Sequence, residues 1–186
     1  MKRFLCSFAV LLSMSLPGWA VLQVEVLDYS RREVRLIYEF MDDMVANAEF
    51  RFPGSGFIHD SSYGPIIVEH VYDLTRNQPL TYKVQNLPDN VPQLVITYPQ
   101  PLGKGEEKRI QVQVIVHLPP ANISRDTYGR YTFRYTTDHR CTFIVAPNHY
   151  VVQTNQAVIV TERDGRIHLE QANEDRKEIE IITRAR

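Results

Sequence analysis

The sequence predicts an all-β fold, an antiparallel β-sandwich of about twelve short strands in a single domain. Apolar and polar residues alternate with period two along most of the chain. The alternating runs are short and end at proline, glycine, asparagine or aspartate. No stretch carries an apolar stripe at the 3.6-residue period of a helix.

In chain order, Leu22, Val24 and Val26 alternate with Gln23 and Glu25, and Val34, Leu36, Tyr38 and Phe40 with Glu33, Arg35 and Glu39. Ala46, Ala48, Phe50 and Phe52 form a third run, which Pro53-Gly54-Ser55-Gly56 breaks. Strands are then expected over Ile66 to Tyr72, Leu80 to Gln85, Gln93 to Tyr98 and Arg109 to His117. Beyond Pro119-Pro120 follow Tyr131 to Thr136, Arg140 to Val145, Ala157 to Glu162, Arg166 to Glu170 and Lys177 to Thr183. Asp164-Gly165 joins two of these runs as a two-residue hairpin, because both positions of that turn need positive φ.

The chain begins with Lys2 and Arg3, an apolar run from Phe4 to Leu16, and then Pro17-Gly18-Trp19-Ala20. That order is the pattern of a secretory signal peptide over residues 1–20, cleaved before Val21. The apolar run is shorter than the roughly 20 residues a membrane span requires. Cys6 lies inside it, away from the small-residue context of a lipoprotein cysteine. Its removal leaves 166 of 186 residues as the expected β-sandwich domain, 21–186, with Pro119-Pro120 the one place where that domain could divide. The expected address is extracytoplasmic, in a bacterial periplasm, and no transmembrane segment is expected after residue 20.

Without Lys2 and Arg3, 19 basic residues face 22 acidic ones. A net negative chain of this kind is not built for nucleic acid. Cys141 would be the only cysteine of the mature chain, so its core must hold without an internal disulfide.

Three segments, "YDLTRNQPLTYKV" at 72–84, "YPQPLGKGEEKRIQVQVIV" at 98–116 and "FIVAPNHYVVQTNQAVIVTERDGRIHLE" at 143–170, together resemble the N-terminal β-sandwich of zinc aminopeptidases of the aminopeptidase N kind and of ribophorin-type proteins. The resemblance implies architecture and no chemistry. The His-Glu-x-x-His motif of those peptidases occurs nowhere in the chain, so no zinc peptidase activity carries over.

No metal or other cofactor is expected. The six histidines, His59, His70, His117, His139, His149 and His168, form neither a His-x-His pair nor an i, i+4 pair, and no aspartate cluster has calcium-loop spacing. Ser55, His59 and Asp60 lie close in "PGSGFIHD", but Pro53 stands where a nucleophile elbow needs glycine, and a surface loop is the expected structure.

"TDHRCTF" resembles the Ser/Thr-His-Gly-Cys signature of L,D-transpeptidases, which act on peptidoglycan. His139 and Cys141 match it, whereas Arg140 replaces the glycine and Asp138 the Ser or Thr. On one strand the Cα atoms of His139 and Cys141 would stand about 6.6 Å apart. Parity points to a structural role instead. Tyr131, Phe133, Tyr135, Cys141, Phe143 and Val145 are all odd-numbered, so Cys141 is expected to face inward with the aromatic residues. The even face holds Arg130, Arg134 and Arg140, a basic stripe that would suit an anionic glycan or pair with acidic residues of a neighbouring strand.

The sequence therefore points to a secreted, non-catalytic binding or structural module of the cell envelope, with an envelope protein or an anionic glycan as its partner. Two alternatives stand beside it: a small cysteine-dependent enzyme acting on peptidoglycan or peptides through Cys141 and His139, and an accessory subunit of an envelope complex.

Overall fold

The computed structural model describes residues 21–42, 49–51, 63–86, 92–137, 141–171 and 177–186. Fifteen strands lie within them: β1 (Val21–Asp28), β2 (Glu33–Asp42), β3 (Glu49–Arg51), β4 (Ile67–Asp73), β5 (Gln78–Pro79), β6 (Thr81–Asn86), β7 (Pro92–Thr97), β8 (Lys108–His117), β9 (Ile123–Arg125), β10 (Arg130–Thr137), β11 (Cys141–Ile144), β12 (His149–Thr154), β13 (Val158–Arg163), β14 (Arg166–Gln171) and β15 (Lys177–Ala185). They form an eight-stranded sheet in the order β13-β14-β11-β1-β2-β8-β4-β5, a four-stranded sheet β12-β15-β10-β9 and a three-stranded sheet β3-β7-β6. The fold is all-β, as the alternation predicts. Residues 1–20, the expected signal peptide, and Ser55, His59 and Asp60 lie outside the described residues.

The period-two pattern becomes a buried row that crosses the large sheet. In β2 each even residue from Val34 to Asp42 is buried, while the odd residues are half-buried. Register places Val24 opposite Leu36, and Leu36 opposite Val114. All three side chains are fully buried. Phe133 and Ile181 of the four-stranded sheet and Leu94 and Ile96 of the three-stranded sheet belong to the same core. The layers meet through aromatic rings, with Phe133 of β10 against the edge of Phe143 of β11 at 5.8 Å. Leu118 and Ile123, on either side of Pro119-Pro120, both enter this one core.

Two expectations need correction. The sheet is not wholly antiparallel: β1 runs parallel to β11, with Leu22 opposite Cys141 and Val24 opposite Phe143. Alternation reports which face a side chain takes and carries no information on strand direction. The strand number also exceeds twelve, because β5, β9 and β12 escaped the pattern. The first two have two and three residues. In β12 a register shift between Val151 and Gln153 interrupts the alternation.

Asp164 and Gly165 have φ of 52° and 72° and close the β13–β14 hairpin as their sequence predicts. The outer face of the large sheet is tied by charge. Arg35 donates to Glu69 from Nε at 2.6 Å and to Glu25 from Nη1 at 2.7 Å, and Gln113 adds a bond to Glu69 at 2.8 Å. Among the described residues no helix is long and apolar enough to cross a membrane, which says nothing about spanning by strands.

Candidate functional site

At one end of the sandwich a cleft of about 400 Å³ opens between the β1–β2 turn and the four-stranded sheet. Its lining combines Asp28, Tyr29 and Ser30 of that turn with Arg125 of β9, Tyr131 of β10 and His149 of β12. Local chemistry holds each piece in place. Asp28 Oδ1 accepts hydrogen bonds from the Ser30 amide at 2.7 Å, the Ser30 hydroxyl at 2.6 Å and the Arg31 amide at 3.1 Å. The Ser30 hydroxyl in particular holds the Asp28 carboxyl below its ordinary range. Such side-chain-to-backbone bonds are what aspartate supplies to a turn.

Across the cleft, β9 and β10 are joined by a turn built on Asp126. Its Oδ1 accepts from the Tyr128 and Arg130 amides, each at 2.9 Å, and its Oδ2 from Arg130 Nε at 2.6 Å. Gly129, with φ of 78°, completes the turn and lines the cleft. A side chain there would be strained by the backbone angle. The third wall follows Pro147 and Asn148, the latter with φ of 59°, before His149 enters β12. His149 Nδ1 lies 2.8 Å from the Pro147 carbonyl, which can only accept, so Nδ1 carries the proton.

These walls meet in an aromatic cluster. Tyr29 and Tyr131 stack at 5.0 Å with an 18° interplanar angle. The His149 ring lies 4.9 Å from Tyr29 and 5.9 Å from Tyr131. Tyr29 is buried beneath the cleft floor, and burial pushes its phenol up to about 12. The Arg125 guanidinium stands 5.4 Å from the centre of the Tyr131 ring, its Cα partner in the ladder. The cleft thus has a stacked aromatic floor and a rim of mixed charge.

The residues singled out from the sequence lie elsewhere. Cys141 is fully buried, and burial pushes its thiol well above the ordinary range. It has the protonated, shielded state of a core cysteine. Asp138, His139 and Arg140 lie outside the described residues. Arg130 pairs with Asp126, and Arg134 Nε with Glu180 Oε2 of β15 at 2.8 Å. Among the described residues no group of three histidine, cysteine, aspartate or glutamate side chains is placed to hold a metal ion. Sequence reasoning missed the cleft because its parts come from five separate segments. The signals were faint: an aspartate at a strand end, and an aromatic residue opposite an arginine across a short turn.

No family model matches the sequence, and no curated protein matches it. Solved structures do match in fold. An M1 zinc metallopeptidase mutant from Deinococcus radiodurans, bound to a Tyr-Ser-Ala substrate, aligns over 88% of this chain and 41% of its own, at 12% identity and a TM-score of 0.53. A two-domain M1 zinc metallopeptidase mutant bound to L-tryptophan aligns over the same shares at 11% identity and a TM-score of 0.51. Native yeast LTA4 hydrolase aligns over 88% of this chain and 28% of its own, at 11% identity and a TM-score of 0.53. The chain spans less than half the length of these structures. Its architecture is that of a β-sandwich found within M1 peptidase chains, as the strand-and-turn segments imply, and the likeness is one of fold alone.

Proposed function

We propose that this protein is an extracytoplasmic, non-catalytic binding module of the bacterial cell envelope, and that it binds through the cleft between Asp28, Arg125 and His149. One observation carries the reading: the sandwich architecture occurs here without the His-Glu-x-x-His motif, while its end bears a cleft with aromatic and charged walls. Concave sites with a few convergent polar groups are the usual places for ligands. The address rests on the signal-peptide pattern of residues 1–20. Expression in a bacterium, followed by fractionation and N-terminal sequencing, tests it. The expected product is periplasmic and begins at Val21, whereas a cytoplasmic chain beginning at Met1 removes the envelope reading.

A second reading, an accessory subunit, draws on β13. Among the described residues this strand pairs only with β14 and forms an edge of the large sheet, with Ile159 and Val160 at 54% and 60% exposure. Exposed edges of this kind accept an added strand. Mild crosslinking in the periplasm separates the readings. A protein partner crosslinked at 158–163 favours the accessory subunit, and a ligand retained after Ile159→Lys favours the cleft.

A further inference from the structure

We infer that the cleft is an oxyanion site, with Arg125 gripping the carboxylate or phosphate of a sugar-sized ligand and His149 accepting from one of its hydroxyls; this rests on the binding-module reading above. Arg125 is the one arginine among the residues lining the cleft. On the neighbouring strand β10, Arg130 and Arg134 are neutralised by Asp126 and Glu180, and on β14 of the large sheet Arg166 is neutralised by Glu25. Arg125 has no carboxylate partner among the described residues, and its guanidinium rests on Tyr131 instead. A guanidinium held against an aromatic face keeps its fork of donors free for a planar or tetrahedral oxyanion.

The support beneath it is fixed. Tyr131 is clamped from below by Tyr29, so the cation stands on a two-ring stack whose lower ring is buried. Ordering is therefore largely complete before a ligand arrives, which lowers the cost of binding. His149 supplies the second contact. With Nδ1–H committed to the Pro147 carbonyl, Nε2 has no partner among the described residues and is an acceptor for a hydroxyl of the ligand. Asp28 keeps its negative charge on the opposite wall, its Oδ1 held by three hydrogen bonds from its own turn and its Oδ2 3.8 Å from Arg31 Nε, so the anionic group must sit on the Arg125 side of the cleft. The volume, about 400 Å³, is that of a pocket for a small ligand and leaves room for a sugar ring beside the anionic group.

Calorimetric titration of the purified secreted chain with D-glucuronate, glucose 6-phosphate and D-glucose tests the assignment. At least one of the two anions should bind saturably and D-glucose should not, and which anion binds separates the carboxylate from the phosphate. Arg125→Gln should weaken the binding by about tenfold or more, with thermal unfolding unchanged. Arg125→Lys, which keeps the charge and loses the fork, should fall between. Arg134→Gln, already paired to Glu180, should bind like the parent. Absence of saturable binding by both anions overturns the proposal, as does binding that survives Arg125→Gln or that D-glucose matches. If a periplasmic ligand is still captured by the Arg125→Gln protein, this site falls while the binding-module reading stands.

Discussion

Cys141 stands opposite Leu22 in the parallel ladder of β1 and β11, and both side chains are buried, at 0% and 2% exposure. Around the thiol lie Tyr38 and Tyr135, which hydrogen-bond to each other across the two layers. A bulky alkylating reagent should therefore react slowly with native protein and fully once urea exposes the thiol. Cys141→Ser should cost about 1 to 3 kcal/mol in urea unfolding, because Tyr38 and Tyr135 are committed to each other and leave the buried serine hydroxyl unsatisfied. Cys141→Ala should cost less than Cys141→Ser. Rapid native labelling, with a Cys141→Ser protein as stable as the parent, would make the thiol a reactive one.

The same core predicts sensitivity to alkali. Burial raises the phenols of Tyr29, to about 12, and of Tyr38, Tyr98 and Tyr135, and it raises the Cys141 thiol. Each group is held protonated in the folded state beyond the pH at which it ionises in the unfolded chain. Their contribution to stability is complete below the unfolded values, 9.0 for the thiol and 10.0 for the phenols, and is lost as pH rises toward the folded ones. Urea unfolding should show stability falling from about pH 9 upward. Tyr29→Phe should flatten the part of the decline between 10 and about 12. A profile level to about pH 11 would contradict the burial of these groups.

What the sequence made legible is what local pattern encodes. Val34, Leu36, Tyr38 and Phe40 must share a face because a strand alternates, and Asp164-Gly165 must turn because its backbone angles demand it. Strand direction and neighbour choice are properties of distant pairs, and the β1–β11 contact joins residues more than a hundred positions apart. The cleft was hidden for the same reason. Tyr29 and Tyr131 look like ordinary aromatic residues in their own segments, and only the docking of the β1–β2 turn on the four-stranded sheet stacks one upon the other.

The β13–β14 turn offers a test of backbone strain isolated from packing. Gly165 has φ of 72°, and a Cβ built there would meet nothing within 4 Å. Any penalty on substitution must come from the left-handed backbone, not from a clash. Gly165→Ala should cost about 1 kcal/mol in urea unfolding, and Gly165→Val more, since branching at Cβ worsens the same angle. Asp164→Asn should be neutral or slightly stabilising, because Asn-Gly suits this turn type at least as well. Equal stability of Gly165→Val and the parent would mean that the hairpin closes in another way.

Among the described residues Lys108 is the one buried cation. Its side chain is 3% exposed and its Nζ lies 3.6 Å from Oδ2 of Asp73, which is fully buried. Asp73 Oδ1 caps the following turn by accepting from the Thr75 amide at 2.9 Å and the Arg76 amide at 3.1 Å, whereas Oδ2 has no hydrogen bond. Beside them Asp42, opposite Lys108 in the β2–β8 ladder, accepts the Tyr98 hydroxyl at 2.6 Å. Lys108→Met removes the cation and leaves buried carboxylate charge uncompensated, so it should cost about 3 to 5 kcal/mol. Adding Asp73→Asn keeps an oxygen for the turn and deletes the stranded charge. The double variant should therefore recover a large part of the loss, with a coupling energy above about 1 kcal/mol. Strict additivity of the two changes would show that Lys108 answers to Asp42 and not to Asp73.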